Sequence, residues 1–166
     1  YHQGINSNYH SLQANLTRRF SQGLSLIGSY TWSKALGYTG NDATLVNRFD
    51  LQANYGPLDY DRRHVLSISH LWELPFGRSG GDLVATLLGG WQWNGVLSWS
   101  AGTPLTVTSD PISCACPGNT VLANIDGDPY ANTGGTTVLN RAAFFTPVNS
   151  LGNSRRAAFR GPDLWN

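Results

Sequence analysis

Four stretches of the chain alternate apolar and polar side chains with period two, the repeat of a β-strand whose two faces meet different surroundings. In YHSLQANLTRRF, residues 9–20, Leu12, Ala14, Leu16 and Phe20 share one parity, and Ser11, Gln13, Asn15, Thr17 and Arg19 share the other. Arg18 interrupts the apolar set near its end. In GLSLIGSYTWSKAL, residues 23–36, Leu24, Leu26, Tyr30 and Trp32 oppose Ser25, Ser29, Thr31 and Ser33. In VLSISHLWEL, residues 65–74, Leu66, Ile68, Trp72 and Leu74 form the apolar set, broken by His70. In WQWNGVLSWS, residues 91–100, Trp91, Trp93, Leu97 and Trp99 alternate with Gln92, Asn94, Val96, Ser98 and Ser100. The pattern predicts an all-β chain, an antiparallel meander of about four to five long strands.

The links between these strands are unequal. Ser21-Gln22-Gly23 reads as a three-residue hairpin link, with Gly where a positive φ is required. Residues 34–61 read as a long loop punctuated by Gly, Asn and Pro. The next link is expected to hold a short helical turn over Leu83–Leu88. The fourth strand is expected to run on past Gly102-Thr103-Pro104 through Leu105 and Val107. A second long loop then fills residues 109 to about 160, and a fifth strand begins near Asp163. Loops this long are uncommon in compact soluble domains. They are usual in outer-membrane barrels, where short periplasmic turns alternate with long extracellular loops.

Each alternating stretch is long enough for a tilted membrane strand of about 9–11 residues. The aromatic residues gather near strand ends: Tyr30 and Trp32 before the first long loop, Trp72, Trp91 and Trp93 around the next link, and Trp99 before the second long loop. Amphipathic rings favour the membrane–water interface, so these six are expected to be interface anchors. Gln13, Asn15, Thr17, Arg19, Gln92 and Asn94 are expected to face a wet lumen. A soluble β-sandwich has the same alternation, because core and lipid are both apolar.

Composition narrows the choice. Of 166 residues only 13% are charged and the net charge is +1, against about 25% charged in an ordinary soluble domain. Near-neutrality gives no basic footprint for nucleic acid. Mean hydropathy is below zero, which does not argue against a barrel, because alternating strands average their hydrophobicity away. No apolar run reaches the roughly 18 residues of a membrane helix. The chain contains no Met and begins and ends abruptly, and reads as a piece of a longer protein.

The polar clusters favour structure over chemistry. Asp59-Tyr60-Asp61-Arg62-Arg63-His64 is the densest. A base drawn from Asp59 or Asp61 with His64 lacks a nucleophile, and neighbours on an extended chain point apart. The cluster is expected to brace a loop-to-strand junction, with Arg62 and Arg63 contacting Asp59, Asp61 or a nearby loop. Asn124, Asp126 and Asp128 have some character of a calcium loop but lack its remaining ligands, so an Asx-rich turn is expected. His70 on the oily face is expected to be interfacial or to face a partner in preference to acting as a ligand. Cys114 and Cys116 have no Cys or His nearby to complete a zinc site, and a loop disulfide is expected. No catalytic, metal-ligating or cofactor-binding residue emerges, and none is expected.

Taken together, YHSLQANLTRRFSQGLSLIGSYTWSKAL, GPLDYDRRHVLSISHLWELPFG, LLGGWQWNGVLSWSAGTPLTVTSD, LNRAAFF and GNSRRAAFRGP resemble the C-terminal part of the barrel of Oar-like TonB-dependent outer-membrane receptors. The likeness is weakest over residues 37–55 and 109–138. It implies a closed barrel of about 22 strands, plugged by an N-terminal domain and driven by the TonB complex. On that basis residues 1–166 form part of a receptor barrel, without plug, TonB-contacting segment or final strand. The implied partners are outer-membrane lipid, the remaining barrel, the plug and TonB. The implied function is uptake of a siderophore, oligosaccharide or peptide. A surface adhesion or carbohydrate-binding module is the alternative. Left alone, such a piece has open strand edges, which cannot face hydrocarbon, and is expected neither to transport nor to insert stably.

Overall fold

The computed structural model describes residues 5–39, 45–47, 49–75, 90–110, 120–134 and 137–166. Cys114, Cys116 and the expected helical turn over Leu83–Leu88 lie outside these residues. The chain divides into two compact units.

One unit comprises Ser11–Trp32, Arg63–Ala101 and Asp163–Asn166, and its frame is a sheet of long antiparallel strands. These are β1 (Asn8–Ser21), β2 (Leu24–Gly37), β4 (His64–Glu73) and β5 (Gln92–Ser100), closed by the short β10 (Leu164–Trp165). Their order in space, β1-β2-β4-β5-β10, follows the chain, as a meander must. The four long strands and the start of the fifth fall where the alternation put them, within a residue or two at the ends. The first link is tighter than expected. Ser21 closes β1, and only Gln22 and Gly23 turn, both in the left-handed region (φ 53° and 80°). That is the backbone of the hairpin turn whose twist matches its strands.

The register makes the sheet two-faced across every strand. Leu24, Leu26, Gly28, Tyr30 and Trp32 of β2 pair with Trp72, His70, Ile68, Leu66 and His64 of β4. The same β4 residues from Leu66 to Trp72 pair with Trp99, Leu97, Gly95 and Trp93 of β5, and Trp165 of β10 pairs with Trp99. On β1, Leu16 joins this face: its Cβ lies 3.9 Å from where a side chain on Gly28 would begin. The opposite face carries Ser29, Ser67 and Ser98 in one row and Thr31, Val65 and Ser100 in the next. A one-residue slip would put every oily side chain on the wet face, so pattern and register specify each other.

The other unit comprises Tyr1–His10, Ser33–Arg62 and Gly102–Pro162. It holds the buried apolar side chains Ala35, Val46, Leu58, Val121, Leu122, Ala123, Ala143, Ala157 and Phe159. Its elements are short: β3 (Gly56–Pro57), β6 (Pro104–Leu105), β7 (Asn124–Ile125), β8 (Phe144–Phe145) and β9 (Phe159–Arg160), with 3-10 turns at Gln52–Asn54 and Arg141–Ala143. The expected extension of the fourth strand does not occur. β5 stops at Ser100, and Pro104–Leu105 pairs with Phe159–Arg160 in a sheet of its own. Gly102 shows why. A side chain there would begin 1.9 Å from the Gly161 carbonyl oxygen, so the chain passes closely enough to Gly161 to change partners. Residues 109–160, expected as plain loop, contain the β7–β8 pair and a bridge between Thr108 and Leu122.

Candidate functional site

In the sheet, the aromatic side chains stand in two rows. At one end lie Tyr30, Trp32, His64, Trp99 and Trp165. His64 links them: its Nδ1 is 2.7 Å from the Tyr30 hydroxyl, and its ring stacks 6.1 Å from Tyr30 and 6.1 Å from Trp99. Trp99 in turn sits 5.8 Å from Trp165, and its indole N–H donates to Asp163 at 3.3 Å. At the other end, Trp72 and Trp93 meet edge to face at 6.5 Å; Trp91 precedes β5 and is exposed. Trp32–His64 and Leu24–Trp72 are eight residues apart on β2. Tyr30, Trp99 and Trp165 sit six residues from the Trp72 register, so at about 3.3 Å per residue the rows are about 20–26 Å apart along the strands.

Between the rows the face is Leu26, Gly28, Ile68, His70, Gly95 and Leu97, with Leu66 set in the row between Tyr30 and Trp99. Of these residues His70 is the ionisable one. Its ring lies over Gly95, where a side chain would begin 3.0 Å from its Cε1, and meets Trp93 edge-on at 4.5 Å. The glycine makes room for the imidazole, which covers the bare backbone in return. Gln92 and Asn94 occupy the opposite parity. Gln92 pairs with Glu73 and donates to its carboxylate at 3.3 Å, and Asn94 pairs with Leu71. Gln13, Asn15, Thr17 and Arg19 lie on β1, exposed like the rest of that strand.

The sheet's two ends differ in what joins the strands. Gln22–Gly23 and residues 74–91 connect strands at the Trp72–Trp93 end. Residues 38–63 and 101–163 leave from the Trp32–Trp99 end. The asymmetry read from the sequence is therefore a property of the sheet.

In the other unit, the Asp59–His64 cluster is distributed differently from expectation. Asp61, 2% exposed, accepts a hydrogen bond from Ala35 N–H at 2.7 Å and pairs with Arg160. Arg160 also donates to the carbonyls of Asp61 and Gly102, both at 3.1 Å. Asp59 lies 3.6 Å from Arg156. Buried Arg156 donates to the carbonyls of Asn54 (2.9 Å), Gly37 (2.8 Å) and Gly56 (3.2 Å). Arg156 and Arg160 come from about a hundred residues downstream, and Arg62 offers its carbonyl to the Ser33 hydroxyl at 2.7 Å. His64 belongs to the aromatic row of the sheet. Asp59 and Asp61 thus each meet an arginine from the second long connection, Arg156 and Arg160.

Arg156, Arg160 and Asn54 escaped the sequence reading. Asn54 is fully buried, and its amide donates to the carbonyls of Asn47 (2.6 Å) and Asp50 (2.8 Å) and accepts from Asn47 N–H (2.9 Å). A signal for the arginines was present. In a chain only 13% charged, a pair of acids two apart and a pair of arginines four apart are natural partners. The Asn-Ile-Asp-Gly-Asp-Pro stretch is strand β7 in its first two residues and a turn after them: Asp128 accepts from Tyr130 N–H at 2.9 Å, an Asx bond, and Asn124 accepts from Asn153 N–H at 3.0 Å across to a distant loop. Among the described residues no cluster of three metal-ligating side chains occurs.

A family model described as an outer membrane beta barrel domain matches residues 1–166. The chain belongs to this family. No curated protein and no solved structure matches it. As an outer-membrane β-barrel domain it resides in the bacterial outer membrane, in contact with lipid. Barrel membership also accounts for a sheet that is oily on one side along its whole length, since strands cross a bilayer only when closed into a ring.

Proposed function

We propose that this barrel domain is part of a TonB-dependent transporter that takes up a solute across the outer membrane, without covalent chemistry of its own. One observation carries the reading: no described side chain of the oily sheet face is buried, while the loop-rich unit has a built interior. Trp93, on that face, is 59% exposed, and Leu97 and Trp72 are also exposed. A soluble sandwich buries such a face against a second sheet. Here the buried apolar side chains lie almost wholly in the unit of long connections.

In this reading the oily face looks at lipid, and Tyr30, Trp32 and Trp99 form one interfacial belt, with Trp72, Trp91 and Trp93 in the other. Strands tilted by about 40° reduce the roughly 20–26 Å between rows to about 15–20 Å across the membrane, inside the apolar band of about 25 Å in such barrels. Gln13, Asn15, Thr17, Arg19, Gln92 and Asn94 then face the lumen, and residues 38–63 and 101–163 lie outside the cell. Connections held by Arg156 and Arg160 suit a receptor, because a fixed loop surface loses less entropy when it binds a solute.

The full-length protein, purified in detergent micelles, is offered the soluble periplasmic domain of TonB. Retention of TonB on the immobilised protein is expected. Correct insertion in the outer membrane without any retention would leave the family membership intact and remove the transport reading in favour of adhesion.

A further inference from the structure

The unit of long connections contains a hollow of about 400 Å³, within the range of small-molecule sites. The residues that give it chemistry are Asn47, Asp50, Gln52, Tyr55, Ser154 and Arg155. Both walls are held in shape. On one, the Asp50 carboxylate caps the backbone N–H groups of Gln52 (3.0 Å) and Ala53 (3.3 Å), and Asn47 accepts from Phe49 N–H (2.9 Å) and Asp50 N–H (3.1 Å). On the other, Leu122 N–H bonds to Leu151 and Ser154 N–H to Ala123. Gly152 (φ 84°) permits that approach, since a side chain there would begin 2.0 Å from the Leu122 carbonyl oxygen.

The walls also hold hydrogen-bonding groups that nothing uses. Ser154 is 6% exposed, yet its hydroxyl has no partner among the described residues. A buried hydroxyl without a partner is costly, and a ligand supplies one once the wall shifts to uncover the oxygen. The side chains of Gln52 and Arg155 also make no hydrogen bond or ion pair among the described residues. Tyr55 extends the site. It and Gln52 also line an adjoining hollow of about 430 Å³ with Asn8 and Tyr38. There the Tyr38 and Tyr55 rings lie 5.1 Å apart, and Asn8 donates to the Tyr55 hydroxyl at 3.1 Å.

This inventory selects a ligand class. One carboxylate and one guanidinium in the same hollow disfavour a simple anion or cation, since each repels what the other attracts. Amides, hydroxyls and charged groups together supply donors and acceptors at several angles, the complement of a ligand with many hydroxyls. Tyrosine rings and the apolar wall of Val46, Leu122 and Leu151 suit the C–H faces of sugar rings. Two hollows sharing Gln52 and Tyr55 accommodate more than one ring. We propose that this site binds a short neutral oligosaccharide. The proposal rests on the transport reading only in making this the place where the solute is first captured.

The full-length protein in a sugar-free detergent is titrated calorimetrically with maltotriose, cellotriose and chitotriose, and with trigalacturonate and ferric citrate as charged probes. At least one neutral trisaccharide is expected to bind. Gln52→Ala and Arg155→Ala are each expected to weaken it about tenfold, the size of one lost hydrogen bond to a charged or buried group. Neither side chain bonds to another group among the described residues, so both variants are expected to keep the wild-type heat-modifiable gel mobility of a folded barrel. Binding of none of the neutral sugars, binding of a charged probe alone, or binding indifferent to both substitutions would overturn the proposal. None of these outcomes bears on TonB retention, so the two readings fail separately.

Discussion

The sheet and the long connections solve the problem of buried polar groups in opposite ways. In the sheet, backbone groups pair along regular ladders, and the side chains are left to distinguish oil from water by parity alone. In the connections the ladders are only two residues long, and side chains do what strands cannot. Arg156 reaches three carbonyls, Arg160 two, and Asn54 ties its own loop at three points. Apolar burial divides in the same manner, lying almost wholly in the connections. A membrane barrel inverts the soluble plan: its regular structure shows an oily surface, and its irregular structure keeps a core.

The largest expected effect falls on the connections. Asp61→Ala strips the buried partner of Arg160 and the acceptor of Ala35 N–H, a loss of about 3–5 kcal/mol for a broken buried pair. Hydrogen exchange on the full-length protein should show lost protection over residues 33–62 and 102–162, with the β4 and β5 amides unchanged. Equal loss in both regions would mean that they are not held separately. The next effect breaks the sheet's own rule. Leu97→Arg places a charge midway between the aromatic rows and should cost about 2–4 kcal/mol of folding stability in vesicles. Ser98→Arg, one residue on and facing the other way, should cost under about 1 kcal/mol. Similar costs would erase the distinction between faces.

Smaller effects sharpen the picture. Gly95→Ala crowds His70 and should cost about 1–2 kcal/mol. The same change in a His70→Ala background should cost much less, a coupling readable from a double-mutant cycle. Gly23→Ala, at φ 80°, should cost about 1 kcal/mol and slow hairpin closure without altering the connections. A loss of Arg156-dependent protection in that variant would contradict the separation.

How much of this was legible follows from the same contrast. Alternation is a local signal, so the four long strands, their faces and the strand beginning near Asp163 could all be read from neighbouring residues. The unequal links were visible as Gly, Asn and Pro runs. The acid–arginine pairs were half legible. Asp59 and Asp61 announced themselves as charges in a charge-poor chain, but Arg156 meets Asn54 across 102 residues of sequence, and no periodicity spans that distance. The change of partner at Gly102 was hidden for a similar reason, because Leu105 and Val107 keep the strand's parity while the backbone has already turned to Gly161. The hollow around Gln52 and Ser154 was not legible, since its two walls lie about a hundred residues apart in the chain.

The central claim is that the oily face of the sheet looks outward at lipid. Variants of the full-length protein that retain only Trp32, Trp72, Trp93 or Trp99 would be reconstituted in bilayers, and their fluorescence quenched by lipids brominated at different acyl depths. The account predicts quenching of all four, strongest for shallow bromines, with Ile68→Trp, midway between the rows, quenched best by deep ones. Absence of quenching by any brominated lipid would place that face against protein and contradict the account.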